Sequence, residues 1–285
     1  MKEYEKKYNP GLYIVSTPIG NLEDITYRGI NMLKNADIIY CEDTRVTKKL
    51  LTRYSINSSL KVYNDFSSEA VRKKILNEIN NDKVVALLSD AGTPLISDPG
   101  YKLVRACYEN KNPVIVIPGV SSLTASITIS GLPTDKIYFV GFLSNTQSKR
   151  KSEFEKIRLL DATVIIFETS KKLERTLKNI REFFGPIKIT IARELTKIHE
   201  EVIAENVDLI IDHLKENKLK GEIVLLFNTI EIKKPQPDIQ KIDNEIKKLI
   251  NKLPAREITN IIHIKYNLPK KIVYERYLEL RNNPR

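Results

Sequence analysis

Residues 84–100 read Val84-Val85-Ala86-Leu87-Leu88-Ser89-Asp90-Ala91-Gly92-Thr93-Pro94-Leu95-Ile96-Ser97-Asp98-Pro99-Gly100. The opening run is apolar without a break, which asks for burial on both faces and so for a strand inside a mainly parallel sheet covered by helices. The stretch that follows packs two carboxylates, two glycines and two prolines into residues 89–100. It is a stiff loop whose backbone can come close to a ligand. In a parallel α/β sheet ligands gather beyond the carboxyl ends of the strands, which is where this loop lies. Asp98 before Pro99 also matches a helix N-cap with proline at the first helical position. Capping accounts for Asp98 and leaves Asp90 to Pro94 unexplained.

Working outward, short β-branched runs at 12–16, 36–41 and 113–117 repeat the pattern of strand, turn residue and longer amphipathic stretch. This is a βαβα rhythm. A second series predicts strands at 137–142, 163–167, 187–192 and 223–227. Between them, helices are expected at 171–184, closed by Gly185-Pro186, and at 207–218, closed near Gly221. The reading is two tandem α/β domains, 11–133 and 134–232, after a polar tail at 1–10. Turn chemistry at Gly131-Leu132-Pro133-Thr134-Asp135 marks the junction. Pro235 and Pro237 within residues 233–237 favour an extended linker. Beyond it, 238–285 predicts three short helices at 239–253, 256–266 and 269–281. This is either a helix-turn-helix-like appendage or a helical cap without a ligand.

Three further loops carry polar groups after predicted strands. Thr17-Pro18-Ile19-Gly20-Asn21 offers a strained turn at Gly20 and a cap at Asn21, and differs from both GxGxxG and the P-loop. Cys41-Glu42-Asp43-Thr44-Arg45 sets two carboxylates and a guanidinium beside a buried strand. Either Asp43 or Thr44 caps the next helix and Arg45 pairs with Glu42, or the group serves chemistry. Pro118-Gly119-Val120-Ser121-Ser122 places hydroxyls and free N–H groups at a helix start, suited to a carboxylate, with capping by Ser121 as the plainer reading.

The chain of 285 residues carries a net charge of +11. Divided after Ile232, the body holds +4 and the tail +7. A basic tail on a nearly balanced body suits a nucleic-acid partner or a merely solvated face. No apolar run approaches the roughly 20 residues that cross a bilayer, and the first seven residues do not form a signal peptide, so a cytoplasmic protein without membrane association is expected. Cys41 and Cys107 form no CxxC pair, and the three histidines are scattered, so no metal site, disulfide framework or serine-esterase motif is read.

Taken together, Thr17 to Thr26, Cys41 to Arg45, Ser89 to Gly100, Ser130 to Asp135 and Ala192-Arg193-Glu194-Leu195-Thr196-Lys197 resemble the ribosomal RNA small subunit methyltransferase I family. These are the 16S rRNA (cytidine-2'-O)-methyltransferases of the tetrapyrrole methylase superfamily. The resemblance spans essentially the whole chain. It implies two α/β domains of tetrapyrrole-methylase type with the S-adenosylmethionine cleft between them, a small C-terminal helical domain, a homodimer, and 16S rRNA or the 30S subunit as partner. By position it implies cofactor contacts from Pro18, Gly20, Asp90, Gly92, Thr93, Leu95, Ile96, Ser121, Ser122, Phe167, Ala192 and Leu195. RNA contacts are expected from Arg45, Lys48, Lys49, Arg193, Lys270, Lys271 and Arg276. Glu42, Asp43 and Asp98 are the candidates for the base that removes a hydroxyl proton.

The chain departs from the family in three places. It has no histidine at Tyr63-Asn64-Asp65-Phe66, where the family often has a His-rich segment. It has Thr169-Ser170-Lys171-Lys172 for a Ser-Pro-His-Arg-like run, and Val120 where proline is common. If the usual histidine is catalytic, this chain needs another solution. Methylation of a tetrapyrrole or another small molecule by the same fold remains open, as does a non-catalytic nucleic-acid-binding protein.

Overall fold

The computed structural model describes residues 8–230, 239–250, 252–266, 268 and 270–282. The expected linker at 233–237, most of the tail at 1–10 and Pro269 lie outside the described residues. The chain divides into two compact units, one on each side of the boundary between Ile232 and Lys233. The expected α/β domains are therefore two lobes of one unit.

The first lobe runs β1 (Gly11–Val15), α1 (Tyr27–Lys34), β2 (Ile38–Cys41), α2 (Thr44–Arg53), β3 (Ser59–Val62), α3 (Glu69–Asn80), β4 (Val84–Leu87), α4 (Tyr101–Glu109), β5 (Val114–Ile117) and α5 (Ser122–Ile129). Its strands pair in the order β3-β2-β4-β1-β5, all parallel. β1, β2 and β4 are buried at every position, as their unbroken apolar runs require. Alternate residues feed two cores, Val15, Ile39 and Ala86 on one face and Leu12, Tyr40 and Leu87 on the other. Edge strand β3 was not read from the sequence. Its half-exposed Ser-Leu-Lys-Val has no apolar run to announce it.

The second lobe runs β6 (Ile137–Phe142), α6 (Gln147–Ile157), β7 (Thr163–Thr169), α7 (Leu173–Phe184), β8 (Lys188–Arg193), β9 (Glu201–Asn206), α8 (Val207–Glu216) and β10 (Glu222–Asn228). The order is β6-β7-β10-β8-β9, with only β6 and β7 parallel. Parallel pairing does not carry over to this lobe. β10 inserts antiparallel between β7 and β8, while β9 returns directly beside β8. The β9 sequence Glu-Val-Ile-Ala-Glu-Asn is mostly exposed, and the apolar pattern did not reveal it.

An apolar seam joins the lobes. Ile19 and Ile127 of the first pack with Phe167, Ala192, Leu195 and Val224 of the second. Complete burial of such side chains contributes about 1.5–3 kcal/mol each, so the seam fixes the facing loops in place.

The C-terminal unit holds α9 (Ile239–Leu249), α10 (Ala255–Tyr266) and α11 (Lys270–Asn282). Pairs at four-residue spacing, Ile242 with Ile246, Ile258 with Ile262 and Val273 with Tyr277, make its core. Arg276 Nε donates to Asp243 at 2.7 Å and Nη1 to Glu279 at 2.6 Å. Its charge, which was expected to meet RNA, staples α11 to α9. Lys270 and Lys271 are exposed.

Candidate active site

Between the two lobes lies a cavity of about 330 Å³, in the range of small-molecule sites. The β4–α4 loop supplies Gly92, Thr93, Ile96, Ser97 and Asp98 to it, and the β5–α5 turn supplies Ser121 and Ser122. Across from them stand Phe142, Phe167, Glu168, Ala192, Leu195, Glu222 and Val224 of the second lobe.

The first-lobe loop is held in an uncommon conformation. Gly92 has φ 76°, and its N–H and C=O pair with Thr17 in an isolated bridge. A Cβ on Gly92 would stand 3.2 Å from Ile19 Cγ2. Leu95 and Ser97 also have positive φ, 74° and 64°, a backbone cost that folds tolerate mainly where function needs it. Thr93 ties three loops together, since its hydroxyl lies 2.9 Å from Ser16 Oγ and donates to the Val120 carbonyl at 3.0 Å.

Eight residues expected to meet the cofactor line this cavity: Gly92, Thr93, Ile96, Ser121, Ser122, Phe167, Ala192 and Leu195. Four are placed otherwise. Pro18 is buried. Gly20 opens on a different hollow, with Arg53 and His199. It is glycine because the second lobe presses on it. A Cβ there would stand 2.4 Å from Lys197 Cγ and 2.8 Å from Thr196 Oγ1. Leu95 turns its side chain into the first-lobe core. Asp90 bridges loops, accepting the Asp43 N–H at 3.1 Å.

The carboxylates separate into distinct environments. Asp43 caps α2 by accepting the Arg45 N–H at 2.8 Å, and its side chain holds the Arg45 guanidinium at 2.6 Å. Arg45 therefore pairs with Asp43 and not, as one reading had it, with Glu42. Hydrogen bonds from Arg45 hold the Asp43 carboxyl down at about 2, which makes it a poor proton acceptor. Asp98 is not the helix cap. Gly100 occupies that position with φ 139°, and Asp98 lines the cavity instead. Burial pushes the Asp98 carboxyl up to about 6, opposed by a hydrogen bond with Ser89. Glu42 rises to about 7, first from burial and then from Asp98 and Asp90, and its buried Oε1 has no partner among the described residues. Ser121 stands at the N-cap position of α5, but its side chain makes no cap bond, so the capping reading fails and the hydroxyl is left to the cavity.

Sequence reasoning missed Glu168. It is 4% exposed and directly follows the apolar run of β7, the one signal that marks it. Its Oε2 accepts from Thr176 Oγ1 at 2.5 Å, and Thr176 accepts from the fully buried Arg150 at 2.8 Å. Arg150 also donates to Asn179 at 3.1 Å. Ser97, Phe142 and Glu222 were missed as well, because their place in the cavity depends on how the lobes meet.

Of the expected RNA contacts, Lys48 and Lys49 are exposed on α2, and the Arg45 side chain is 87% exposed although paired. Arg193 is engaged by Glu201 at 2.9 Å and the Lys220 carbonyl at 3.1 Å, which ties β8 to its neighbours. Among the described residues no cluster of side chains suits a metal ion, and no helix is long and apolar enough to cross a membrane.

Residues 11–210 match the family model of the tetrapyrrole (corrin/porphyrin) methylases. A curated relative from Rickettsia prowazekii (strain Madrid E), named Ribosomal RNA small subunit methyltransferase I, is 50% identical over 232 residues, covering 81% of this chain and 83% of its own. One of the same name from Mesorhizobium japonicum is 38% identical over 275 residues, covering 96% and 93%. Among solved structures, a cobalamin biosynthetic enzyme, cobalt precorrin-4 methyltransferase, aligns with TM-score 0.58 at 16% identity, over 75% of this chain and 93% of that one. A diphthine synthase aligns with TM-score 0.59 at 15% identity, over 76% and 89%. At these identities the structures speak for the fold alone.

Proposed function

The chain belongs to the tetrapyrrole methylase family, and we propose that it transfers a methyl group from S-adenosylmethionine to the 2'-hydroxyl of a cytidine in 16S rRNA. The observation that carries this reading is its likeness to the small-subunit rRNA methyltransferases, which extends through both lobes and, in the Mesorhizobium relative, over nearly the whole chain. The proposed setting is the cytoplasm, with the protein acting as a homodimer on free 16S rRNA or the 30S subunit.

The cavity residues fit the cofactor. Phe167, Leu195 and Val224 offer an apolar wall for an adenine. The start of α5, with Ser121 and Ser122, suits the carboxylate of the methionine moiety. Glu168 and Glu222 give the cavity acidic walls that suit a sulfonium cation and an ammonium group. When bound, S-adenosylmethionine supplies an electrophilic methyl on a sulfonium whose departure as a neutral thioether needs no metal. What the protein must then provide is alignment of the acceptor oxygen and removal of its proton. Exposed Lys48, Lys49, Lys270 and Lys271 would contribute salt-dependent affinity for phosphates.

The test is transfer of labelled methyl from S-adenosylmethionine to unmodified 30S subunits and to free 16S rRNA, with nucleoside mass spectrometry of the product. A single 2'-O-methylcytidine is expected. Transfer to neither RNA, together with transfer to a porphyrinoid, would overturn the RNA reading.

A further inference from the structure

A second, smaller hollow opens on the other side of Asp98. It is lined by Tyr63, Asp65 and Arg72 of the β3–α3 region and by Tyr101 and Lys102 at the start of α4. Asp98 is the residue common to this hollow and the large cavity. The hollow holds about 120 Å³. At roughly 30 Å³ per water that is about four water volumes, room for one small ring and not for a whole nucleotide.

The turn at its rim is locked from several sides. The Asn64 N–H donates to Ser67 Oγ at 2.9 Å, the Phe66 N–H to Asn64 Oδ1 at 3.1 Å, and Arg72 Nη1 to the Ser67 carbonyl at 3.1 Å. This fixed turn holds the Phe66 ring 96% exposed, and Tyr101 is 67% exposed. Lone exposed apolar residues are ordinary. Two exposed aromatic rings beside a hollow that also carries a guanidinium and an ammonium form a combination suited to unpaired nucleotides, which stack their bases and pair their phosphates. Asp65 repels phosphate, but a carboxylate accepts well from the exocyclic amine of cytosine.

We propose that this hollow seats the base of the acceptor cytidine, splayed from its RNA strand and stacked on Phe66 and Tyr101, with Asp98 in the wall between the two cavities as the group that takes the 2'-hydroxyl proton. The inference rests on the rRNA methyltransferase reading and gives that reading its acceptor site. The O–H bond breaks as its proton passes to the Asp98 carboxylate. The oxygen's electron pair forms the new O–CH₃ bond, the S–CH₃ bond breaks, and sulfur keeps that electron pair as S-adenosylhomocysteine leaves. Asp98 then returns its proton to solvent. A base poised near 6 is ionised at neutral pH and still basic enough to work there. The acids that face it are Asp90 on its own loop, Asp65 from the β3–α3 connection and Glu42 from the end of β2.

The test compares wild type with Phe66→Ala, Phe66→Tyr and Asp98→Asn, using unmodified 30S subunits as acceptor, calorimetry for S-adenosylmethionine binding, and circular dichroism for folding. Phe66→Ala is expected to raise KM for 30S about tenfold, with cofactor affinity and kcat near wild type, and Phe66→Tyr to restore it. Asp98→Asn is expected to lower kcat on the order of 100-fold or more, with KM for 30S little changed, and to remove the rise of kcat/KM with pH near 6. Unchanged KM in Phe66→Ala, or loss of cofactor binding in a folded Asp98→Asn, overturns the assignment while wild-type methylation of 30S still stands. No transfer to RNA by wild type removes the underlying reading as well, and is told apart because it appears in the unmutated protein.

Discussion

The two lobes build their halves of the cavity in different ways. The all-parallel sheet of the first lobe brings every strand's carboxyl end to one edge, so the loops after β1, β4 and β5 meet at the cavity and carry most of its hydroxyls, together with Asp98. The mixed sheet of the second lobe has no such common edge. It contributes the ends of β7 and β8 and the start of β10, mainly as an apolar wall with Glu168 buried in it. The first lobe relies on loop conformation to present polar groups, and the second on a buried network to hold one.

Breaking the buried network should have the largest effect. Arg150→Ala removes the cation behind Thr176 and Glu168 and leaves their polar atoms buried without it. A loss of about 3 kcal/mol is expected, read as a lower melting temperature in urea or thermal denaturation. Arg150→Lys should recover only part, because a single ammonium cannot reproduce the guanidinium's separate bonds to Asn179 and Thr176. If Arg150→Ala melts like wild type, the second lobe does not depend on this network.

The conformation of the first-lobe loop is probed by Gly92→Ala. Its φ of 76° and the 3.2 Å approach to Ile19 oppose any side chain. A cost of about 1–2 kcal/mol is expected, together with weaker S-adenosylmethionine binding measured by calorimetry. Unaltered binding would mean that the loop tolerates relaxation and that its strain is incidental.

The smallest effect is electrostatic. The Glu42 carboxyl sits at about 7 in the folded protein, above its value in the unfolded chain. The folded state therefore binds this proton more tightly, so the contribution to stability is full below the unfolded value, near 4.5, and is lost as pH rises through about 7. Glu42→Gln should then stabilise the protein at pH 8 by on the order of 1 kcal/mol, after allowance for solvent screening, and do little at pH 4. Equal melting temperatures of variant and wild type at pH 8 would show that Glu42 is not penalised by its setting.

Much of the first lobe was legible because its strands are buried on both faces, and burial writes itself into sequence as unbroken runs such as Val84 to Leu88. Strands β3 and β9 were not legible, since exposed edges need no apolar pattern. The Asp43 cap was one of two open readings. The cap at Asp98 was misread, because Asp-Pro reports a turn but not which residue ends it, and the helix starts after Gly100.

The sequence by itself determined the alternation of strands and helices, the loops that bear the chemistry and the family they resemble. Those features depend on local order along the chain and on patterns of burial. Only the tertiary structure decided that β10 runs between β7 and β8, that Gly20 is needed where Lys197 and Thr196 press on it, and that Glu168 joins Asp98 around one cavity. It also set Asp98 between two hollows while turning Asp43 toward Arg45. Such choices arise from contacts between residues far apart in the chain, where neither spacing nor composition records which surfaces will meet.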